Sequence, residues 1–257
     1  MNTFNHTAGN EHVIDDAVIY YEITGNKDGP VMLLLHGGFG SMEDFNPILP
    51  LLLSTYCVIG VDSRGHGQST LGSKKLSYGQ LQKDIESLLQ HLDIKQLSII
   101  GFSDGGIVAY RLAAFSTLKI DKLITIGSRW HINDALQTKD LFLRITPQSW
   151  ENKFPGTVAL YKRLNPEADF NRLFAAVVAM WLDDDNTGYP NEQITQANCA
   201  LFIVRGDNDH LTTRKSVAKL ADLVKGAALL NIAFARHAAY TDQYEIFKIA
   251  LKQFLGN

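Results

Sequence analysis

The chain of 257 residues carries a formal net charge of −3 with both signs interspersed, which gives no electrostatic case for nucleic acid or an anionic membrane surface. With 46% of its residues apolar and 20% charged, it has the composition of a globular protein able to build one large α/β domain or two small ones. The polar start, Met1-Asn2-Thr3-Phe4-Asn5-His6, lacks the basic-then-apolar pattern of a signal peptide. The longest apolar runs, such as Val31 to Leu35, are too short to span a bilayer. Cys57 and Cys199 sit beside apolar segments and make neither a disulfide framework nor a metal site. The expectation is a cytoplasmic protein acting on a small molecule, with no nucleic-acid, membrane, metal or cofactor partner; its oligomeric state is left open.

Val13 to Gly25, broken by Asp15-Asp16, reads as a hairpin at a sheet edge, and Lys27-Asp28-Gly29-Pro30 as a turn. Val31 to Leu35 is a continuous apolar strand of the kind buried on both faces of a parallel sheet. It ends in the glycine-rich loop His36-Gly37-Gly38-Phe39-Gly40, with a helix expected from Met42 to Leu53. Tyr56 to Val61 is another strand, running into Asp62-Ser63-Arg64-Gly65-His66-Gly67-Gln68-Ser69. Leu81, Ile85, Leu88, Leu89 and Leu92 share one face of a helix over Tyr78 to Leu92. Leu97 to Ile100 is a strand, Ile107 to Ala114 a helix and Leu123 to Ile126 a further strand.

From Ser128 to Asn198 helical stretches follow one another without a strand between them, punctuated by Pro147, Pro155, Pro166 and Pro190. This reads as a helical insertion over 128–198 in a core formed by 1–127 and 199–257. The alternation resumes with a strand at Ala200 to Val204, a helix at Arg214 to Val224, a strand at Leu229 to Phe234 and a closing helix from Asp242 to Leu255. Such alternation implies a parallel sheet with helices on both faces, and a site at the carboxyl ends of its strands.

At that edge lies Gly101-Phe102-Ser103-Asp104-Gly105-Gly106, a serine between glycines at a strand-to-helix corner. Such an elbow holds the hydroxyl above the sheet on a strained backbone, and the helix that follows aims its free N–H groups at the site. A serine hydroxyl needs a base, and the base a third group to orient it. Of the eight histidines, His6 and His12 lie in the leader, His91 ends a helix, His131 is in the insertion, and His36 and His66 sit in glycine loops. His237 follows the last strand and is placed to hang over the elbow. After strand Ala200 to Val204 the chain reads Gly206-Asp207-Asn208-Asp209-His210. Asp209, further round the loop, is favoured as the orienting acid over Asp207, which would cap the turn. The backbone N–H of Asp104 and that of Gly38, with Phe39 as the alternative, are the expected oxyanion donors.

Taken together, His36-Gly37-Gly38, Asp62-x-Arg64-Gly65-x-Gly67-x-Ser69, Gly101-x-Ser103-x-Gly105-Gly106, Gly206-x-x-Asp209 and His237 resemble the α/β-hydrolase superfamily over nearly the whole chain. The resemblance implies an α/β fold with a mostly parallel eight-stranded sheet, a helical cap over the pocket, and a Ser103–Asp209–His237 triad without a cofactor. It implies an ester, thioester or lactone hydrolase; carbon–carbon bond cleavage on the same triad and a non-turnover ligand sensor on the same fold are the alternatives. Ser103 in place of aspartate speaks against the dehalogenase and epoxide-hydrolase branches, and Phe39 where proline iminopeptidases carry proline weakens a peptidase reading. His210 and Arg236 depart from the family pattern beside the triad.

The loop Arg64 to Ser69 lacks the lysine of a phosphate loop, and Asp183-Asp184-Asp185 reads as a solvated acidic turn. Phe39 of the glycine loop, and Trp130 and Trp181 within an insertion that is rich in aromatics, are the candidates to line the substrate pocket. Arg129 could meet an acidic substrate, with a surface ion pair as its expected role.

Overall fold

The computed structural model describes residues 3–256; Met1 and Asn2 of the polar leader, and Asn257, lie outside the described residues. An edge hairpin, β1 (Asn10–Ile14) and β2 (Ala17–Gly25), leads into β3 (Val31–Leu35) and β4 (Cys57–Val61). Helix α1 (Tyr78–His91), β5 (Gln96–Phe102), α2 (Asp104–Phe115) and β6 (Lys119–Ile126) follow. Four helices then intervene: α3 (Ile132–Phe142), α4 (Pro147–Lys153), α5 (Pro155–Leu164) and α6 (Phe170–Leu182). The chain closes with β7 (Ala200–Gly206), α7 (Arg214–Leu223), β8 (Ala228–Ile232), the short α8 (Ala239–Asp242) and α9 (Tyr244–Leu255).

The eight strands form one sheet in the order β1-β2-β4-β3-β5-β6-β7-β8. The β1–β2 and β2–β4 pairs are antiparallel and all others parallel. The apolar runs that read as buried strands are buried: Met32, Leu33 and Leu34 are at 0% exposure, and the sheet divides two apolar cores. The carboxyl ends of β3, β5, β6 and β7 therefore share one edge, where the loops carrying the candidate residues meet.

Local chemistry moves several boundaries. The helix expected over Met42 to Leu53 is instead two short 3-10 turns, Met42–Phe45 and Leu49–Leu51. Pro47 and Pro50 lack the N–H groups a continuous α-helix would need there. The closing helix is divided at Gln243, which takes φ −133° between α8 and α9. β8 ends at Ile232, and Phe234 turns out into solvent with φ +64° at 82% exposure. Among the described residues no helix is long and apolar enough to cross a membrane, and no cluster of His, Cys, Asp or Glu could hold a metal ion.

Candidate active site

The elbow is built by close backbone approach. A Cβ on Gly105 would lie 2.0 Å from the carbonyl oxygen of Leu35, and one on Gly101 would lie 2.6 Å from the Gly105 carbonyl oxygen. Only glycine lets β3, β5 and the start of α2 meet this tightly. Ser103 takes φ +51° and ψ −116°, outside the comfortable regions for an L-residue. Although Ser103 occupies the N-cap position of α2, its hydroxyl caps nothing, which leaves it free to face outward.

That hydroxyl meets His237. Nε2 of His237 lies 3.0 Å from Ser103 Oγ, and Nδ1 lies 3.0 Å from Oδ2 of Asp209. The same Asp209 oxygen accepts from Thr212 Oγ1 at 2.6 Å, while Oδ1 accepts the Leu211 N–H at 2.8 Å. Burial works against the Asp209 carboxylate, but the bonds from His237, Thr212 and Leu211 outweigh it and hold its pKa below the ordinary carboxylate value. Asp209 is therefore a fixed acceptor, able to keep Nδ1 protonated and Nε2 free to receive the serine proton. Such a chain can deprotonate a serine as it attacks a carbonyl carbon.

Asp207 turns away. It pairs with the Arg214 guanidinium and accepts from Asn231 at 2.8 Å. Arg205, buried beneath the loop, donates to the carbonyl oxygens of Thr212 at 2.7 Å and Asp209 at 3.1 Å, fixing the segment that presents the acid. Arg236 points to solvent and pairs with Asp242, and the His210 side chain is exposed. The two departures beside the triad thus lie on the outside of the site.

The β3 loop is held against the elbow from below. His36 Nδ1 donates to the Gly37 carbonyl oxygen at 2.7 Å, and Nε2 accepts the Ser63 N–H at 2.9 Å. Asp62 accepts from the Met42 and Gln68 N–H groups at 3.0 and 2.8 Å and pairs with His6 at 2.7 Å. Arg64 forms a bidentate pair with Asp84, both bonds 2.7 Å, so this loop is structural. A Cβ on Gly37 would come within 3.0 Å of Ser103 Cβ, which sets the loop directly beside the hydroxyl. Among the described residues the N–H groups of Gly38, Phe39 and Asp104 donate to no protein acceptor, so all three remain free to bind an oxyanion.

The aromatic candidates divide. Trp181 lines the cavity at Ser103, together with Asp104, Ile107, Arg129, Leu211 and His237, among others. Phe39 lies just behind it. Its ring contacts those of Trp150, Phe170, Phe174 and Trp181, with centroids 4.7 to 5.6 Å apart. Phe39 thus glues the helical segment to the β3 loop. Trp130 is not brought to the cavity. It is fully buried, and its indole N–H donates to Ser216 Oγ at 2.9 Å, fastening the exit of β6 to α7.

Sequence reasoning missed Thr212 and Tyr78 and gave neither the bond of Trp181 to Asp104 nor the burial of Arg129. Thr212 follows Asp209 by three positions, a spacing typical of local side-chain bonds in turns. Tyr78 and Trp181 hold the two carboxylate oxygens of Asp104 at 2.8 Å each, a contact between distant segments that no local pattern encodes. Arg129, expected at the surface in an ion pair, is instead 5% exposed and lines the cavity. The cause is the tight Gly127-Ser128 turn after β6, which folds the next side chain inward under α3.

The α/β hydrolase fold family matches residues 30–185 of the chain. A Haemophilus influenzae protein assigned as an esterase/lipase is 23% identical over 251 residues, covering 92% of this chain and 87% of that protein. The human serine hydrolase BPHL is 26% identical over 254 residues, covering 94% of this chain and 84% of its own. Among solved structures, an enol-lactonase from Burkholderia xenovorans LB400 is similar with a TM-score of 0.75 at 18% identity, over 96% of this chain and 100% of that one. That last likeness is one of fold.

Proposed function

The chain belongs to the α/β-hydrolase fold family and is a hydrolase, and from that premise we propose that it cleaves an ester, thioester or lactone of a small, largely apolar acyl substrate through an acyl-enzyme on Ser103. The observation that carries this reading is the pair of 3.0 Å contacts linking Ser103, His237 and Asp209 at a strained elbow. Ser103 Oγ attacks the carbonyl carbon as His237 Nε2 takes its proton. The oxyanion is received by the N–H groups of Asp104 and Gly38, with Phe39 adjacent, each donor lowering the barrier by about 3 kcal/mol in comparable sites. His237 returns the proton to the departing alcohol, thiol or, in a lactone, ring oxygen. Water then attacks the acyl-enzyme with His237 again as base, and Asp209 stabilises the imidazolium in both steps.

On this reading the helices between β6 and β7 are a cap. The cavity over Ser103 measures about 20 Å³, room for a single water. Substrate entry therefore requires Phe142 of α3 and Trp181 of α6 to swing aside, and their return excludes bulk water from the acyl-enzyme. Ser103→Ala tests the proposal: turnover of short p-nitrophenyl esters should fall by about 10⁴-fold or more, with the fold intact by circular dichroism. Undiminished turnover would overturn it.

A further inference from the structure

We propose that Arg129 sets the specificity of the Ser103 site by receiving a carboxylate on the substrate, so that acyl chains bearing an anionic end are preferred over neutral chains of the same length. The proposal rests on the serine-hydrolase reading above.

Three buried arginines occur among the described residues: Arg64, Arg129 and Arg205. Two are matched within the protein. Arg64 is bidentate to Asp84, and Arg205 faces Asp207 at 3.5 Å and donates to the carbonyl oxygens beneath the acid loop. Arg129 differs. Its Nη1 donates to Thr138 Oγ1 at 2.8 Å, and the rings of Phe142 and Tyr189 lie 5.4 and 5.8 Å from its guanidinium carbon. Tyr78, Tyr189 and Asp104 are the other polar groups facing it, but no carboxylate among the described residues forms an ion pair with it. Both oxygens of Asp104 are already taken by Tyr78 and Trp181.

Buried cations are ordinarily paired. Arg129 instead lines the same cavity as Ser103 and His237, with Ile107, Phe142 and Leu211 as apolar walls. Its position is close to the chemistry, because Gly127, two residues earlier, packs within 3.0 Å of the His237 ring when a Cβ is placed on it. A guanidinium is a planar fork that fits a carboxylate through two parallel bonds, and apolar walls strengthen that attraction. The competing role, a support for Tyr78 and Asp104, would affect neutral and anionic substrates alike.

The test uses mono-p-nitrophenyl esters of succinic, glutaric and adipic acids against p-nitrophenyl butanoate, pentanoate and hexanoate. In the wild type the best anionic ester should exceed its neutral counterpart in kcat/KM by about tenfold or more. Arg129→Met should bring that ratio to about one, chiefly through KM, and Arg129→Lys should leave it in between. A wild-type ratio below about tenfold at every length, or a ratio unmoved by Arg129→Met, overturns the proposal. If neither variant folds, the wild-type ratio decides. Fluorophosphonate labelling separates the two claims: an enzyme labelled at Ser103 without anionic preference refutes only the role of Arg129, whereas absence of labelling removes the serine-hydrolase reading and this proposal with it.

Discussion

The indole N–H of Trp181 donates to Oδ2 of Asp104 at 2.8 Å, bonding α6 to the residue that follows Ser103. The roof of the cavity is thus fastened to the same turn that presents the hydroxyl. Trp181→Phe keeps most of the ring but leaves a buried carboxylate oxygen without its donor. The variant should lose about 1–3 kcal/mol of stability, read as a lower midpoint in urea, with little change in secondary structure.

The two aspartates after β7 should behave very differently. Asp209→Asn leaves the geometry in place but favours the wrong His237 tautomer, so kcat should fall by about 10⁴-fold, the size seen for the equivalent change in a serine protease. Asp207→Asn weakens the pairings with Arg214 and Arg205 but touches neither Ser103 nor His237, and should leave kcat within about twofold of the wild type. Steady-state kinetics on one p-nitrophenyl ester distinguishes them.

Stability should fall with acid in a window set in part by His36. Burial, with His66 close by, depresses its pKa from 6.5 to about 4. Between those values the unfolded chain holds a proton that the folded one does not, so this contribution is complete above about 6.5 and is lost as pH falls through about 4. His36→Leu should flatten that decline while lowering Tm at neutral pH, because the Ser63 N–H loses its acceptor. Melting curves across the window check both signs; an unchanged slope would contradict the assignment.

Glycine positions should separate by what their Cβ would meet. Gly105→Ala drives a methyl against the Leu35 carbonyl at 2.0 Å, backbone that cannot yield, and should prevent the elbow from forming. Gly156, in α5, has nothing within 4 Å of a built Cβ, so Gly156→Ala should be stabilising by about 0.5–1 kcal/mol. Thermal unfolding and soluble yield report on both.

The strand alternation and the glycine spacing around Ser103 were legible because they are local: burial on both faces writes a continuous apolar run, and close backbone approach demands glycine. The chain order of Ser103, Asp209 and His237 followed from requiring each at the end of a parallel strand. For Arg129 a role toward an acidic substrate was one reading, but its burial was not legible, because a positive charge next to Trp130 reads as surface until the fold closes α3 over it. Trp130 misled for the converse reason, since an indole after a strand can serve a pocket or a strut, and only its bond to Ser216 decides. The helix expected after the glycine loop failed where Pro47 and Pro50 outweighed an apolar pattern.

The central claim is that Ser103 is a nucleophile activated by His237. Fluorophosphonate labelling of the purified protein, followed by peptide mass spectrometry, addresses it without knowledge of the substrate. The phosphonyl adduct should appear on Ser103 in the wild type and be lost in both Ser103→Ala and His237→Ala. An unlabelled wild type, or labelling of the His237→Ala variant at the wild-type rate, would contradict it.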